Sequence, residues 1–231
     1  MTISRRVEAL LVIASLLAGA TSSASMLTSR KGQDFDLVAS ANPSTPRSSD
    51  TDRTSMYEKT RSKRVQADAV ATASATCDSC RGTAAAVQVI YVSKAKLGTA
   101  DNLANAWSSC SGCSATSVSV QVVVVRPGAT ISTRNRALAV NASCSGCTTG
   151  AVAVQFIVVT SKHRAFSRKA RQQLEALASQ LQAELTTRSK AARLAAKAKA
   201  KDTSQLAGLQ DLVRKELKPT SLKPQFAVKT S

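Results

Sequence analysis

The sequence predicts an α+β protein, in which a three-unit β-repeat domain with CxxC turns is followed by a basic amphipathic helical region. Three observations support this class. All six cysteines fall in CxxC pairs at one period, β-branched residues alternate after the pairs, and leucines recur at helical spacing near the C-terminus. The β repeats are expected in residues 65–161, the helical region in residues 162–218 and a disordered tail in residues 219–231.

The cysteines carry the repeat signal. The pairs recur 33 and then 34 residues apart, and a glutamine follows each second cysteine after eight residues, at Gln88, Gln121 and Gln155. An apolar tetrad follows each glutamine. The paired cysteines are Cys77 and Cys80, Cys110 and Cys113, and Cys144 and Cys147. One such unit cannot bury its apolar face alone, so the three units are expected to pack together.

Each unit is predicted to be a strand, a CxxC turn, a second strand and a polar return loop. Segments 118–122 and 152–156 alternate with a period of two residues, and β-branched residues dominate them. A stack of rungs and a compact three-unit domain both satisfy this pattern. The sequence does not choose between these two arrangements.

An even number of cysteines in an exported chain indicates disulfides. In a stack of three rungs, pairing across rungs leaves one cysteine over in each column, whereas pairing within each CxxC satisfies all six. We therefore expect three local disulfides. Two alternatives stay open: redox chemistry, which uses a CxxC at a helix N-terminus, and structural zinc, for which two pairs supply four ligands and the third is left over.

The first 25 residues are typical of a cleavable secretory signal peptide. Arg5 and Arg6 precede a short apolar run at residues 9–18, and small residues follow up to Ser25. The run is too short to span a bilayer comfortably. We therefore expect the mature protein to be secreted and extracellular.

Residues 26–64 are rich in Ser, Thr, Asp, Arg and Pro, which predicts disorder. They end in an Arg-x-Lys-Arg pattern formed by Arg61, Lys63 and Arg64. Subtilisin-like proprotein convertases of eukaryotic secretory pathways cut after such clusters. The segment is therefore a candidate propeptide, with the alternative that the cluster arises by chance in a basic protein.

A sequon for N-glycosylation lies immediately before the third cysteine pair. Asn141, Ala142 and Ser143 form it. Asn141 is a candidate acceptor if the source is eukaryotic. An ordinary asparagine in a turn explains the same residues equally well.

The C-terminal third carries most of the charge. Residues 162–231 hold 16 lysines and arginines against 5 acids, which is +11 of the net charge of +18. One leucine stripe is formed by Leu174, Leu177, Leu181 and Leu185, and a second apolar stripe by Leu206, Leu209, Val213 and Leu217. The Ala- and Lys-rich stretch 191–201 is expected to be helical and solvated. The two helices are expected to pair as a hairpin or to cover the repeat domain.

This charge favours an anionic partner, and we expect residues 162–218 to contact an acidic polysaccharide or a membrane surface. Few aromatic residues accompany the cations, so specific nucleic-acid binding is not expected. The alternative is a solvated face that keeps the β domain soluble. The uncharged run 122–125 also predicts self-association, if it lies on an open strand edge.

The composition argues against an enzyme. The chain has 39 alanines but only 7 aromatic residues, and its single histidine, His163, lies between Lys162 and Arg164. Nucleotide-binding, zinc-protease and serine-hydrolase motifs are not found in the sequence. We expect no catalytic residue, no cofactor and no metal.

Segment 135–156, which contains the third cysteine pair and Gln155, is followed by charged amphipathic helices. This arrangement resembles secreted CxxC-repeat proteins of the actinobacterial type, some of which carry the label of peptide zinc metalloprotease. The resemblance covers roughly residues 67–217. It implies secretion and a repeat architecture, and it transfers no catalytic residue. The propeptide-like segment and the Lys-rich tail depart from that family.

Together these features predict a secreted, non-enzymatic structural or binding protein of the extracellular space or wall. Its repeats are locked by disulfides, and its basic tail contacts polyanions. The alternative function is a secreted thiol–disulfide redox protein that uses its CxxC pairs.

Overall fold

The computed structural model describes residues 32–186 and 204–231, in which the chain winds back and forth between two sheets. Sheet A consists of four parallel strands: β1 (Gln33–Ala41), β3 (Arg64–Ala75), β5 (Leu97–Ser108) and β7 (Thr130–Asn141). Sheet B consists of β2 (Ser49–Thr60), β4 (Arg81–Val92), β6 (Ser114–Val125), β8 (Thr148–Val159) and the antiparallel β9 (Ser221–Thr230). Two helices, α1 (Arg168–Glu184) and α2 (Ser204–Leu217), connect β8 to β9.

One strand from each sheet makes one coil of this β-solenoid. Equivalent residues of successive coils lie opposite each other, so that Gln88 pairs with Gln121 and Gln121 with Gln155. The strand, turn, strand and return loop expected for each repeat are therefore present. Of the two arrangements that the sequence left open, the structure has the stack of rungs.

The solenoid has four coils, one more than the three that the sequence predicts. Residues 26–64 were expected to be disordered, but residues 33–60 form β1 and β2, a first coil without cysteine. In β1, Phe35, Leu37, Ala39 and Ala41 alternate inward and are buried. Strand β2 lies at the edge of sheet B, where fewer apolar side chains are needed, and this explains its polar composition.

The C-terminal residues 219–231 are also ordered, contrary to the expected disordered tail. Residues 221–230 form β9, which pairs with β8 and closes that edge of sheet B. The Phe226 ring packs edge-on against Phe156, with centroids 5.8 Å apart. Pro224 interrupts the polar and apolar alternation but is tolerated because β9 is an edge strand.

The space between the two sheets is filled by side chains of graded size. Alanine and cysteine side chains fill it near the CxxC turns, whereas larger residues such as Phe35, Ile90 and Ile157 fill the opposite half. At the alanine-filled end the backbones approach closely, since a Cβ on Gly82 would lie 2.2 Å from the carbonyl oxygen of Ser74. Twelve of the alanines of the chain are buried in this narrow half of the core, where the close approach of the backbones favours small side chains.

A column of glutamines crosses this core. Gln121 donates to the side-chain oxygen of Gln88 at 2.8 Å, and Gln155 donates to that of Gln121 at 2.6 Å. Each amide also donates to carbonyl oxygens of sheet A, such as Ala67 at 2.8 Å from Gln121. These bonds join adjacent coils and both sheets, so the column fixes the register of the stack.

The outer face of sheet B is covered by the two helices. Valines of β4, β6 and β8 share one buried cluster with Leu174 and Leu181 of α1 and with Leu209 and Val213 of α2. Both apolar stripes predicted from the sequence therefore face the sheet, and the helices cover the repeat domain. The stretch 191–201 lies outside the described residues. Among the helices that are described, none has the length and apolar character to cross a membrane.

The run 122–125, which was expected to promote self-association if it lay on an open strand edge, does not lie on an edge. Run 122–125 belongs to β6, which is paired with β4 on one side and β8 on the other, so this run is core. At the first coil, the edge of β1 is protected by carboxylates of β2. Asp52 accepts from the backbone N–H of Ser40, and Asp50 from that of Asn42, both at 2.7 Å.

Candidate anion-binding site and cysteine stack

The turns of the solenoid gather at two opposite ends with different chemistry. The cysteine end consists of the connections from sheet A to sheet B, residues 42–48, 76–80, 109–113 and 142–147. The basic end consists of the opposite connections with their flanking residues, 59–64, 93–97, 126–129 and 160–169. The cysteine end carries one cation and one acid, Arg47 and Asp78. Any ionic function is therefore expected at the basic end.

At the cysteine end, the two sulfur atoms of each CxxC pair lie at disulfide distance. The Cα atoms are 5.4 Å apart in Cys77–Cys80, 5.9 Å in Cys110–Cys113 and 5.8 Å in Cys144–Cys147. The second cysteine of each pair is buried, whereas Cys77 and Cys144 are half-buried. The pairs lie within single turns and do not join adjacent coils.

The three CxxC turns stack on one another. Their third residues, Ser79, Gly112 and Gly146, adopt the left-handed conformation with φ between 56° and 68°. Backbone bonds then link successive turns, from Ser79 N–H to Ser111 and from Gly112 N–H to Ser145, both at 2.8 Å. The spacing of the repeat therefore gives each turn a hydrogen-bonded neighbour.

This geometry bears on the alternative cysteine chemistries. Each pair is followed by a strand, β4, β6 or β8, and not by the helix N-terminus that lowers a thiol pKa in CxxC oxidoreductases. The sulfur atoms of Cys113, Cys144 and Cys147 lie within 4.8 Å of one another, a spacing that suits a soft metal ion. Because each of these atoms is also at disulfide distance from its own CxxC partner, the oxidised arrangement leaves no thiolate for a metal.

The basic end carries eleven cations and one histidine, and its four stretches contain no acid. The cations are Lys59, Arg61, Lys63, Arg64, Lys94, Lys96, Arg126, Lys162, Arg164, Arg168 and Lys169. They come from positions far apart in the sequence, and only the stacking of coils brings them to one end. Such a surface repels its own charges and attracts anions.

A cavity of about 610 Å³ opens at this end, where β2, β4 and β6 finish. Five cations line it: Lys59, Arg61, Arg126, Lys162 and Arg164. His163, Tyr91, Thr60, Ser93 and Thr160 add polar groups, and the buried valines Val92, Val124 and Val125 lie beneath them. No carboxylate belongs to the lining. The volume is that of a small-molecule site.

Two side chains of the cavity are held in place by the backbone of the last connection. The Arg126 guanidinium donates to the carbonyl oxygen of Thr160 at 3.3 Å. The Tyr91 hydroxyl accepts from the backbone N–H of Phe166 at 2.9 Å. Burial raises the pKa of Tyr91 above its usual value, so the phenol stays protonated and its O–H remains a donor. The inner wall of the cavity is therefore preorganised.

The segment that enters α1 adds positive potential. Ser167 caps the helix by accepting from the N–H of Ala170 at 3.2 Å. Arg168 and Lys169 follow in the first turn, which contains no acid, although a helix N-terminus favours negative charge. Glu216 of α2 accepts from the N–H of Ser167 but does not line the cavity. The sequence thus places cations where helix stability alone would favour acids.

The predicted site residues fall at both ends. Arg61 lines the cavity, and Lys63 and Arg64 lie beside it in the connection from β2 to β3. Arg64 is the first residue of β3, and its carbonyl oxygen accepts from Ser62, so the candidate cleavage site is in an ordered turn and not in a disordered segment. Asn141 ends β7, where its side-chain oxygen accepts from the hydroxyl of Thr149 at 3.0 Å.

Sequence reasoning missed the cavity. It placed the anionic partner on residues 162–218, but of the five lining cations only Lys162 and Arg164 come from that region. Lys59, Arg61 and Arg126 come from earlier connections. The available signal was that each apolar tetrad is followed by one or two basic residues within five positions, which would have found Arg126 but not Lys59 and Arg61.

Comparisons with protein-family models, with curated proteins and with solved structures find no match to this chain.

Proposed function

We propose that the chain is a secreted, non-enzymatic binding protein of the extracellular space or wall, which holds an anionic polysaccharide at the basic end of its solenoid. One observation carries the proposal: the four connections at one end of a hydrogen-bonded stack of coils carry eleven cations and no acid of their own. The rest of the molecule supports that array. The glutamine column and the stacked turns hold the four connections in register, so their charges keep fixed spacing.

Secretion is supported by two features of the chain. Residues 1–25, which lie outside the described residues, have the pattern of a signal peptide. The cysteine pairs lie at disulfide distance, as suits an oxidising compartment. The resemblance to secreted CxxC-repeat proteins agrees with this location.

An extended polymer suits the basic end because its cations are distributed over four successive connections. The cavity lining does not include three lysines of this end, Lys63, Lys94 and Lys96. In our proposal these lysines are the outer group that a polymer contacts along the axis of the stack. Association of this kind releases counterions, and the affinity falls steeply as salt rises. A membrane surface is the competing partner, and vesicles of anionic lipid belong in the same experiment.

The test measures binding of the full mature chain to heparin and to polygalacturonate at low and physiological salt. We expect the double variant Lys94→Gln/Lys96→Gln to lower the affinity by about threefold to tenfold, which is the loss of two solvent-exposed charge contacts. The matched control is Arg47→Gln/Lys229→Gln, which removes the same charge near the opposite, cysteine end of the stack. Equal losses in both variants would show that net charge, not the basic end, attracts the polymer. Binding to anionic vesicles but to neither polymer would overturn the proposal.

A further inference from the structure

The cavity at the basic end is more charged than contact with a polymer requires. Its five lining cations have no carboxylate among them to balance their charge. Three of them are guanidinium groups, from Arg61, Arg126 and Arg164, which bind tetrahedral or planar anions through two parallel hydrogen bonds. An anion of single charge leaves most of this potential uncompensated.

Backbone donors add to the side chains. Within the described residues, the N–H groups of residues 162–165 make no hydrogen bond, although residues 160 and 166 on either side do. These amides lie in the same connection that supplies Lys162, His163 and Arg164 to the lining. These amides lie on a largely exposed segment, where they are available to donate to an anion held by the neighbouring cations.

The cavity is much larger than a phosphate ion. Its volume is about 610 Å³, so it has room for an anionic group together with the organic body that carries it. The valines of its lining, Val92, Val124 and Val125, are only 1–4% exposed and offer almost no surface to a ligand. The Tyr91 hydroxyl, which also lines the cavity, is fixed by the N–H of Phe166.

We propose that this cavity binds a phosphate monoester, with the phosphate among Lys59, Arg61, Arg126, Lys162 and Arg164 and its organic body in the remaining volume. A phosphate monoester carries about −1.5 to −2 charges at neutral pH and three acceptor oxygens. A sulfate ester or a carboxylate carries a single charge. The inference deepens the proposed function and rests on it: the outer lysines contact the charged polymer, and the cavity at the same end takes a phosphate monoester carried by such a partner.

The test is isothermal titration of the full mature chain with glycerol 1-phosphate, methyl sulfate and acetate at equal ionic strength. We expect glycerol 1-phosphate to bind at least about tenfold more tightly than the other two anions, since its second charge meets cations that are otherwise unbalanced. Equal affinity for the three anions would overturn the proposal.

Two matched variants locate the site. Lys59→Gln/Lys162→Gln removes two exposed lysines from the cavity, whereas Lys94→Gln/Lys96→Gln removes two from outside it. The cavity variant is expected to lower the affinity for glycerol 1-phosphate by about tenfold or more, and the outer variant by less than about twofold. Thermal melting of both variants checks that the fold is intact. Equal losses in the two variants would show that no discrete site exists.

The outcomes separate this inference from the proposed function. Polysaccharide binding that depends on Lys94 and Lys96, without preference for the phosphate ester, leaves the proposed function standing and overturns the cavity assignment. If the chain binds glycerol 1-phosphate but neither polysaccharide, the cavity assignment stands and the proposed function is overturned. Binding to vesicles of phosphatidic acid, without binding of the free ester, also overturns the inference, because the group would then be held by a membrane-facing surface.

Discussion

The two sheets are wound from the same chain in the same register, yet they bury their surfaces differently. Strands β4, β6 and β8 of sheet B are buried on both faces, whereas strands of sheet A alternate between the core and solvent. The large apolar side chains that are exposed in the described residues all belong to sheet A: Val38, Leu97, Trp107, Leu138 and Val140. Sheet B exposes no such side chain among the described residues, because the two helices cover its outer face and β9 pairs with its edge at β8.

The two strands of one repeat therefore have different burial: the strand in sheet B is buried on both faces, and the strand in sheet A on one face only. Parallel sheets are usually covered on both faces, and the near-continuous valine runs of sheet B follow that rule. Sheet A departs from it because polar side chains such as Asp68, Asp101 and Arg136 occupy most of its outer face. The outer face of sheet B should therefore need the helices as a cover, whereas the outer face of sheet A needs none.

The largest effect is expected when the elements that follow β8 are removed, because α1 and α2 cover the outer face of sheet B. A chain that ends at Val159 lacks α1, α2 and β9 and exposes eleven buried side chains of sheet B that belong to one cluster. Each buried side chain of this kind contributes about 1.5–3 kcal/mol, so the loss exceeds the usual stability of a domain. We expect the shortened chain to aggregate or to remain unfolded, measured by size-exclusion chromatography and near-ultraviolet circular dichroism.

A matched pair of point changes tests the same idea in the full chain. Leu181 is fully buried between α1 and sheet B, and Leu138 is 51% exposed on sheet A. Leu181→Ala is expected to lower the free energy of unfolding by about 3 kcal/mol, and Leu138→Ala by less than about 0.5 kcal/mol. A folded, monomeric truncated chain, or equal effects of the two alanines, would mean that the helices are not a required cover.

A second prediction concerns the interior that both sheets share. Val123 is buried between them, whereas Val140 points outward from sheet A and is 37% exposed. Lysine at position 123 places an unpaired charge in the core, so Val123→Lys is expected to cost about 4 kcal/mol or more, or to abolish folding. Val140→Lys should change the free energy of unfolding by about 0.5 kcal/mol at most. Urea unfolding of both variants measures the difference.

Should Val123→Lys instead leave stability unchanged and reduce self-association, β6 would be an exposed edge, and its observed pairing with β4 and β8 would be wrong. Val140→Lys is the control for adding a lysine to this fold.

The smallest effect is expected in the glutamine column that joins the sheets. Gln121→Leu keeps the volume but removes the partner of Gln88 and Gln155 and frees the carbonyl oxygens of Ala67 and Asp101. Unsatisfied buried groups cost about 1–3 kcal/mol, and the added apolar contact offsets part of this cost. We expect a net loss of about 2 kcal/mol in the free energy of unfolding.

Gln66 serves as the control, because it lies on the outer face of sheet A and bonds only to the neighbouring Asp68 at 2.8 Å. Gln66→Leu should change stability by about 0.5 kcal/mol at most. If Gln121→Leu were as stable as the natural chain, the column would not hold the register of the coils.

The repeat and the helices could be predicted from the sequence because their signals are strong and local. The CxxC spacing and the period-two segments predicted the coils of β3 to β8, and the two apolar stripes predicted α1 and α2. The first coil was missed because β2, an edge strand, has a polar sequence. Strand β9 was missed because Pro224 breaks its alternation.

The cavity could not be predicted for a different reason. Its cations Arg61, Arg126 and Arg164 lie in separate connections, and each one alone is an ordinary surface residue. Only the stacking of coils places them around one opening, and the sequence left that stacking undecided. The sequence did indicate that the C-terminal region attracts anions, which includes Lys162 and Arg164 but not the other lining cations.

The local span of the cysteine pairs has a consequence under tension. Each pair joins residues three positions apart, with Cα atoms between 5.4 and 5.9 Å, where the extended chain would cover about 10 Å. The three links therefore shorten the roughly 240 Å contour of residues 77–147 by only about 15 Å. A chain pulled from its ends can unwind coil by coil to almost its full length, with every disulfide intact. The cross-links thus harden each turn without limiting how far the molecule can stretch.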